Sequence, residues 1–446
     1  MKNKRLFAML LTLALLCNAA LGAWMSAALA EAETTEEQVL VFKTPWYQGM
    51  FNDARLAEAF NKTHPGKKII VEEALTDKAL ATELMSGEAD YILNMSGTNL
   101  DPSKCAASGI FTDLYEWMDA DPDFHREDYY ENLFEAMEYE GHLYAIVETF
   151  NFPVIFLNKA IVEAVGASYE PLDSINIVEI LDLYEAAKAQ GLMAEDTPLV
   201  FEDAMSIPSF AFEGEFTEYV DLHEKTSHFS DSAFVELLER TKGIYSERRM
   251  EDGSTGSTIP DRSAFGNAIL AQRTSSLLIE TMAGMGPLEG GTLAEPPEAL
   301  MGPLVYESVS GGSSTYDNKL LMVPVSCSNP ELAWEFIKFC IAPMDEEKGE
   351  KPGNSYKTGD VWEFPISRAN LAAYAEYYRT FGKADFDTYL AKVEERIGET
   401  REFAIYKTYS YGVIAPILEQ YYDYGTITAE ECARQMDERL YLYLNE

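Results

Sequence analysis

The order of hydrophobic patterns between residues 39 and 95 constrains this chain more than any other feature. Residues 39–43 read as a short strand, and 53–64 as a helix with Leu56, Ala57 and Phe60 as its apolar stripe. Pro65-Gly66 stops that helix. Residues 68–72 form the next strand, 78–85 a second helix, and Gly87 breaks it before a third strand at 89–95. Strands separated by helices of this length predict βαβ units and a mainly parallel sheet. Loops after such strands open at the carboxyl edge of the sheet, where open α/β sheets bind their ligands. Trp46, Tyr47, Ser96 and Gly97 fall in those loops.

A chain of 446 residues is too long for one ordinary core and predicts two or three domains. Its 47% apolar, 12% aromatic and 24% charged residues exclude disorder, collagen and coiled coil as descriptions of the whole. The 34 Lys plus Arg stand against 75 Asp plus Glu, a formal charge of −41. That field repels a phosphate backbone and an anionic membrane surface, so no nucleic-acid partner is expected.

Residues 1–30 read as a signal peptide. Lys2, Lys4 and Arg5 precede an apolar run broken only by Thr12, and Ala28-Leu29-Ala30 supplies the small-x-small cleavage pattern. The apolar run is shorter than the roughly 20 residues needed to span a bilayer. Export to an extracellular, cell-surface or periplasmic space is therefore expected. Cys17 is a poor lipid-attachment site, because Leu15-Leu16 precede it and cleavage at Ala30 would discard it. Cys105, Cys327, Cys340 and Cys432 are too few for a disulfide scaffold. With no CxxC pair and 5 scattered His, neither a metal nor a cofactor is expected.

Residues 111–150 carry 12 Asp or Glu and a single Arg. Asp119, Asp121 and Asp123 alternate as calcium ligands would, but Pro122, Phe124 and Tyr130 break the EF-hand pattern, and a solvated acidic linker is expected. Strands at 142–146 and 154–158 flank an aromatic and polar cluster that holds Glu148, Phe150, Asn151 and Phe152. A second α/β region runs to about residue 296, with a mobile glycine-rich loop at 253–258, a helix at 265–272 and a strand at 275–281. Residues 305–309 and 319–323 read as a hairpin about Gly311-Gly312. Asn329, Pro330 and Glu331 make the clearest helix start in the chain, and Leu332, Trp334, Phe336, Ile337 and Phe339 are its core contacts. The last hundred residues are largely helical. Their final helix opens at Thr428 and Glu431 and carries Cys432, Met436, Leu440 and Leu444 at i, i+4 spacing.

In this order, several blocks resemble the sugar- and oligosaccharide-binding family (family 1) of extracellular solute-binding proteins that serve ABC importers. Residues 56–66 resemble that family's first helix and its Pro-Gly turn, and 84–92 resemble its Ser-Gly turn into the third strand, without the usual proline. Gly141-His142-Leu143-Tyr144-Ala145-Ile146 and Phe156-Leu157-Asn158-Lys159 resemble its first crossing strands, and 329–339, 364–367 and 425–446 its C-terminal blocks. The resemblance implies an α/β fold of the periplasmic-binding-protein-like (type II) class, with two α/β lobes and a cleft between them. Lobe one would be 38–150 plus 297–345, and lobe two 151–296 plus the helical 346–446, with chain crossings near 147–155 and 290–300. It also implies a non-enzymatic monomer that carries a small-molecule solute, a carbohydrate, to the membrane permease of an ABC importer. One block departs: Thr281-Met282-Ala283-Gly284-Met285-Gly286 stands where relatives carry a glycine-rich segment ending in Trp.

The candidate contacts follow from chemistry and position. Trp46, Tyr47 and Trp362 offer flat apolar faces for stacking on a sugar, and Trp46 is expected to face the cleft while Trp334 is core. Glu148, Asp203 and Glu280 are acceptors for hydroxyl groups, and Phe150 and Asn151 serve either as hinge packing or as ligand contacts. Two other classes compete: a secreted glycan-active enzyme working through two carboxylates, and a surface interaction protein on the same fold. No Gly-x-Ser-x-Gly, P-loop, Gly-x-Gly-x-x-Gly or His-Glu-x-x-His supports the enzyme.

Overall fold

The computed structural model describes residues 37–45, 50–74, 78–96, 98, 100–152, 154–193, 216–221, 224–242, 270–274, 300–307, 314–317, 319–342, 364–379, 386–403, 410–422 and 424–445. The N-terminal pattern forms the βαβ units it predicts. Strand β1 (Gln38–Thr44) leads to helix Met50–Thr63, β2 (Lys67–Glu73), helix Lys78–Ser86 and β3 (Tyr91–Asn94). β1 pairs in parallel with both β2 and β3. Leu56, Ala57 and Phe60 are buried, and the Phe60 ring meets Phe336 and Phe339 edge-on at 5.3 and 5.4 Å. Gly66, at φ +82°, takes the left-handed turn that lets the chain double back from helix to strand.

The chain then changes sheets at very short strands. β4 (Ile146–Val147) ends the first sheet, β5 (Thr149–Asn151) enters a central one, and β6 (Val154–Asn158) starts the second. β7 (Ser174–Ile175) joins the second sheet, and β8 (Val220–Asp221) and β9 (Thr226–Ser227) pair by themselves. β10 (Leu270–Thr274) and β11 (Leu300–Tyr306) return to the second sheet. β12 (Ser314–Asp317) lies in the central sheet and β13 (Leu320–Met322) in the first, and β14 (Phe364–Pro365) and β15 (Glu402–Phe403) complete the central one. The resulting orders are β2-β1-β3-β13-β4, β10-β6-β11-β7 and β14-β5-β12-β15.

Two hydrophobic cores match this division. The first gathers Phe42, Phe60, Tyr91, Phe134, Met322 and Phe336, and the second Ile155, Ile180, Phe234, Leu304, Met436 and Leu440. Each fully buried side chain of this kind contributes about 1.5–3 kcal/mol relative to exposure. Helix Pro330–Ile341 starts as its residues dictate, with Asn329 Oδ1 accepting from the Leu332 amide at 3.1 Å. Trp334 is core as expected, 7% exposed, and its indole Nε1 donates to Asp121 Oδ2 at 2.8 Å. The final helix, Ala429–Asn445, buries Cys432, Met436 and Leu440 against the second core.

Four expectations meet a different arrangement. Residues 270–272, the end of the expected helix at 265–272, belong to β10, because antiparallel pairing with β6 outweighs local helix preference. The expected hairpin of 305–309 and 319–323 does not form: β11 pairs with β6 and β7, while β13 pairs with β3 and β4. The second crossing therefore follows Tyr306 rather than falling near 290–300, and β11 sits with the second core. Within the expected second-lobe segment 346–446, Phe364, Ile366, Leu371 and Phe403 pack in the first core, together with Val393 and Ile397 from the apolar stripe of helix Phe386–Glu399. In the acidic segment, Asp119 pairs with Arg126 and Asp121 with Lys338, so two of the three alternating carboxylates already have cations. The loop 253–258 and the strand at 275–281 lie outside the described residues.

Candidate functional site

The carboxyl edge of the first sheet gathers polar groups that a hydrophobic core would exclude. β1 ends at Thr44 and β3 at Asn94, both fully buried. Asn94 Nδ2 donates to Thr44 Oγ1 at 3.1 Å, and Asn94 Oδ1 accepts from the backbone amides of Ser96 and Leu320, each at 3.1 Å. The Met95 amide donates back to the Leu320 carbonyl at 2.8 Å. One asparagine thus ties the ends of β1 and β3 and the start of β13 together.

Beside it stand three charged groups. Asp53, in the first turn of helix Met50–Thr63, is fully buried. Lys319 Nζ lies 2.7 Å from Asp53 Oδ1 and 3.3 Å from Glu148 Oε2. Burial pushes the Asp53 carboxyl above its ordinary pKa, and Lys319 and the Thr44 hydroxyl offset that only in part. Burial works against the Lys319 charge too, but the carboxylates of Glu148 and Asp53 outweigh it and hold the ammonium above its ordinary range. An ion cluster this dry is sustained only while all its members are present, because deleting one strands an uncompensated charge.

Of the residues expected at the site, the structure places four. Ser96 is half-buried in the turn after β3, with its amide held by Asn94. Glu148 is 7% exposed and engaged by Lys319. Phe150 is fully buried in β5, with Phe152, Phe364 and Phe403 around its ring at 5.5, 5.9 and 6.1 Å, so it packs the crossing. Asn151 pairs through its backbone with Tyr316. Trp46, Tyr47, Gly97, Asp203, Glu280 and Trp362 lie outside the described residues. The sequence reading missed Thr44, Asp53, Asn94 and Lys319. A signal existed for one of them: Asp53 occupies the stripe position three residues before Leu56, four before Ala57 and seven before Phe60, where an acid does not belong without a partner. No group of three or more His, Cys, Asp or Glu side chains among the described residues could hold a metal.

No protein-family model matches the chain, and no curated protein does. Solved structures do match. A Synechococcus protein, provisionally described as an oligosaccharide periplasmic-binding protein, superposes with a TM-score of 0.60 at 15% identity, over 91% of this chain and 99% of that one. The sugar-binding protein MalE of Xanthomonas citri gives 0.59 at 14% identity, over 92% and 98%. An ABC substrate-binding protein of Listeria monocytogenes, in complex with cycloalternan, gives 0.57 at 14%, over 92% and 99%. The chain has the periplasmic-binding-protein fold. In that fold the central sheet β14-β5-β12-β15 is the bridge between two α/β bodies, and the Thr44, Asn94 and Asp53 cluster lies where the first body meets it.

Proposed function

We propose that this protein binds a saccharide between its two bodies and delivers it unchanged to the permease of an ABC importer, as an exported monomer. The observation that carries the reading is the central sheet: the chain passes between two α/β bodies through short strands instead of burying one continuous core. Solute capture by closure requires a cleft, a bridge and a shaped wall, and no reacting group. Similarity to a protein that holds cycloalternan supports a saccharide as the ligand class. Asp53 and Glu148 are locked onto one ammonium, which leaves this carboxylate pair unsuited to acid–base work on a glycosidic bond. Trp46, Tyr47, Gly97, Asp203, Glu280 and Trp362 complete the proposed contacts.

Calorimetry of the mature chain with mono- to hexasaccharides tests this reading. Heat on mixing without hydrolysis products is expected. Heat only from amino acids, peptides or metal ions would overturn the substrate class. Trp46→Ala is expected to weaken saccharide binding about 5- to 150-fold, the worth of one buried aromatic contact.

A further inference from the structure

Lys319 and Glu148 hold matching places in the topology. Glu148 is the one residue between β4, in the first sheet, and β5, in the central sheet. Lys319 immediately precedes β13, in the first sheet, and follows β12, in the central sheet. Both interlobe strands therefore change sheets at the same level, and at that level their side chains meet at 3.3 Å. The same ammonium reaches 2.7 Å to Asp53, at the start of the first long helix. The next residue along, Leu320, is bonded in both directions to the segment after β3: its amide donates to Asn94 Oδ1 and its carbonyl accepts from Met95. The Lys319 side chain thus fastens the two crossing strands to each other and to the start of helix Met50–Thr63, while the Leu320 backbone ties the same point to the end of β3.

We propose that Lys319 is a positioning residue for ligand binding: clamped by Asp53 and Glu148, it sets the pivot about which the two bodies move and fixes the start of helix Met50–Thr63 against the two crossing strands. A lysine suits this place better than an apolar residue of similar length. Its ammonium offers three donors in different directions, and both acceptors sit on separate elements. A hydrophobic side chain would fill the space but would leave the buried carboxyl of Asp53 without its cation. The ligand arm of the proposal rests on the saccharide-binding reading above, and its mechanical arm does not.

The mechanical arm is tested on the full mature chain without ligand, by hydrogen exchange of wild type, Lys319→Gln and Lys319→Arg. Peptides covering 94–98, 148–152 and 319–322 are expected to exchange at least tenfold faster in Lys319→Gln, while those of helix Pro330–Ile341 stay unchanged; Lys319→Arg restores protection. Unchanged exchange in those three segments, or an equal rise everywhere, would overturn the clamp. Should Lys319→Gln not fold, Glu148→Gln is measured instead, with the same pattern expected and the same two results overturning it. The ligand arm uses maltotriose and cycloalternan. Lys319→Gln is expected to raise Kd at least tenfold for whichever wild type binds, and Lys319→Arg to return it to within about threefold. An unchanged Kd in a folded Lys319→Gln variant would overturn the positioning role. If wild type binds no saccharide at all, the functional reading falls, and the exchange pattern still decides the clamp.

Discussion

At the scale of single residues, burial decides more than residue type. Asp53 is a carboxylate in a fully buried position, and burial raises its pKa above the ordinary 3.8. A carboxyl whose folded pKa exceeds its unfolded one binds more protons folded than unfolded, so its contribution to stability falls as pH rises between the two values. The stability of wild type minus that of Asp53→Asn is therefore expected to be greatest below the ordinary value of 3.8 and to decline as pH rises from there toward the raised folded value. Urea midpoints of the two proteins at stepped pH measure it, and a difference growing with pH would refute it. Trp334 fills a core site and bonds Asp121 through its indole, so Trp334→Ala should cost about 3–5 kcal/mol in a denaturant melt. Cys432 is buried and its thiol is pushed up to about 12, with desolvation the main cause. At pH 8 its thiolate fraction is then on the order of 10⁻⁴, and iodoacetamide should label it only after unfolding, as read by mass spectrometry.

At the scale of elements, the last helix shows how a polar anchor fixes an amphipathic segment. Ala429–Asn445 buries one apolar stripe, but its rotation is set by Asp437. That carboxylate accepts from the Ser227 hydroxyl at 2.9 Å, the Phe229 amide at 2.7 Å, and the Ser230 amide and hydroxyl at 2.9 and 2.6 Å. Asp437→Ala would leave two backbone donors without their acceptor, at a cost of about 2–4 kcal/mol, and Asp437→Asn should cost less because its carbonyl still accepts. Thermal melts of both variants check the order. Near the end of the same helix, the Tyr443 hydroxyl donates to Asp101, and Lys104 Nζ stands 3.7 Å from the ring centre, so an element of the second core also touches the first body.

At the scale of the molecule, charge and topology act together. A formal charge of −41 repels itself. Salt screens it: raising NaCl from about 10 to 150 mM should raise the thermal midpoint by about 2–4 °C, the shift that roughly 1 kcal/mol makes in a domain of 150–250 residues. Scanning calorimetry at the two salt levels checks this, and a falling midpoint would show that paired charges dominate. No helix among the described residues is long and apolar enough to cross a membrane.

What the amino-acid sequence could announce by itself was local. Strand and helix periods, Pro65-Gly66, Gly87 and the Asn329-Pro330 start are settled within a few residues of chain, by backbone freedom and by which face is apolar, and the elements appear where those signals stand. The distant decisions were illegible. Whether residues 270–274 form helix or strand depended on β6, more than a hundred residues earlier. Whether β11 and β13 form a hairpin depended on which of two bodies each could bury itself in. Asp53 could be marked as an acid in an apolar stripe, but its partner Lys319 lies far along the chain, and no local pattern reports a contact made only when the crossing strands come together. Period and capping are properties of neighbours in sequence. The ion cluster at the bridge exists only because folding removes water from three groups at once, and that removal belongs to the tertiary structure.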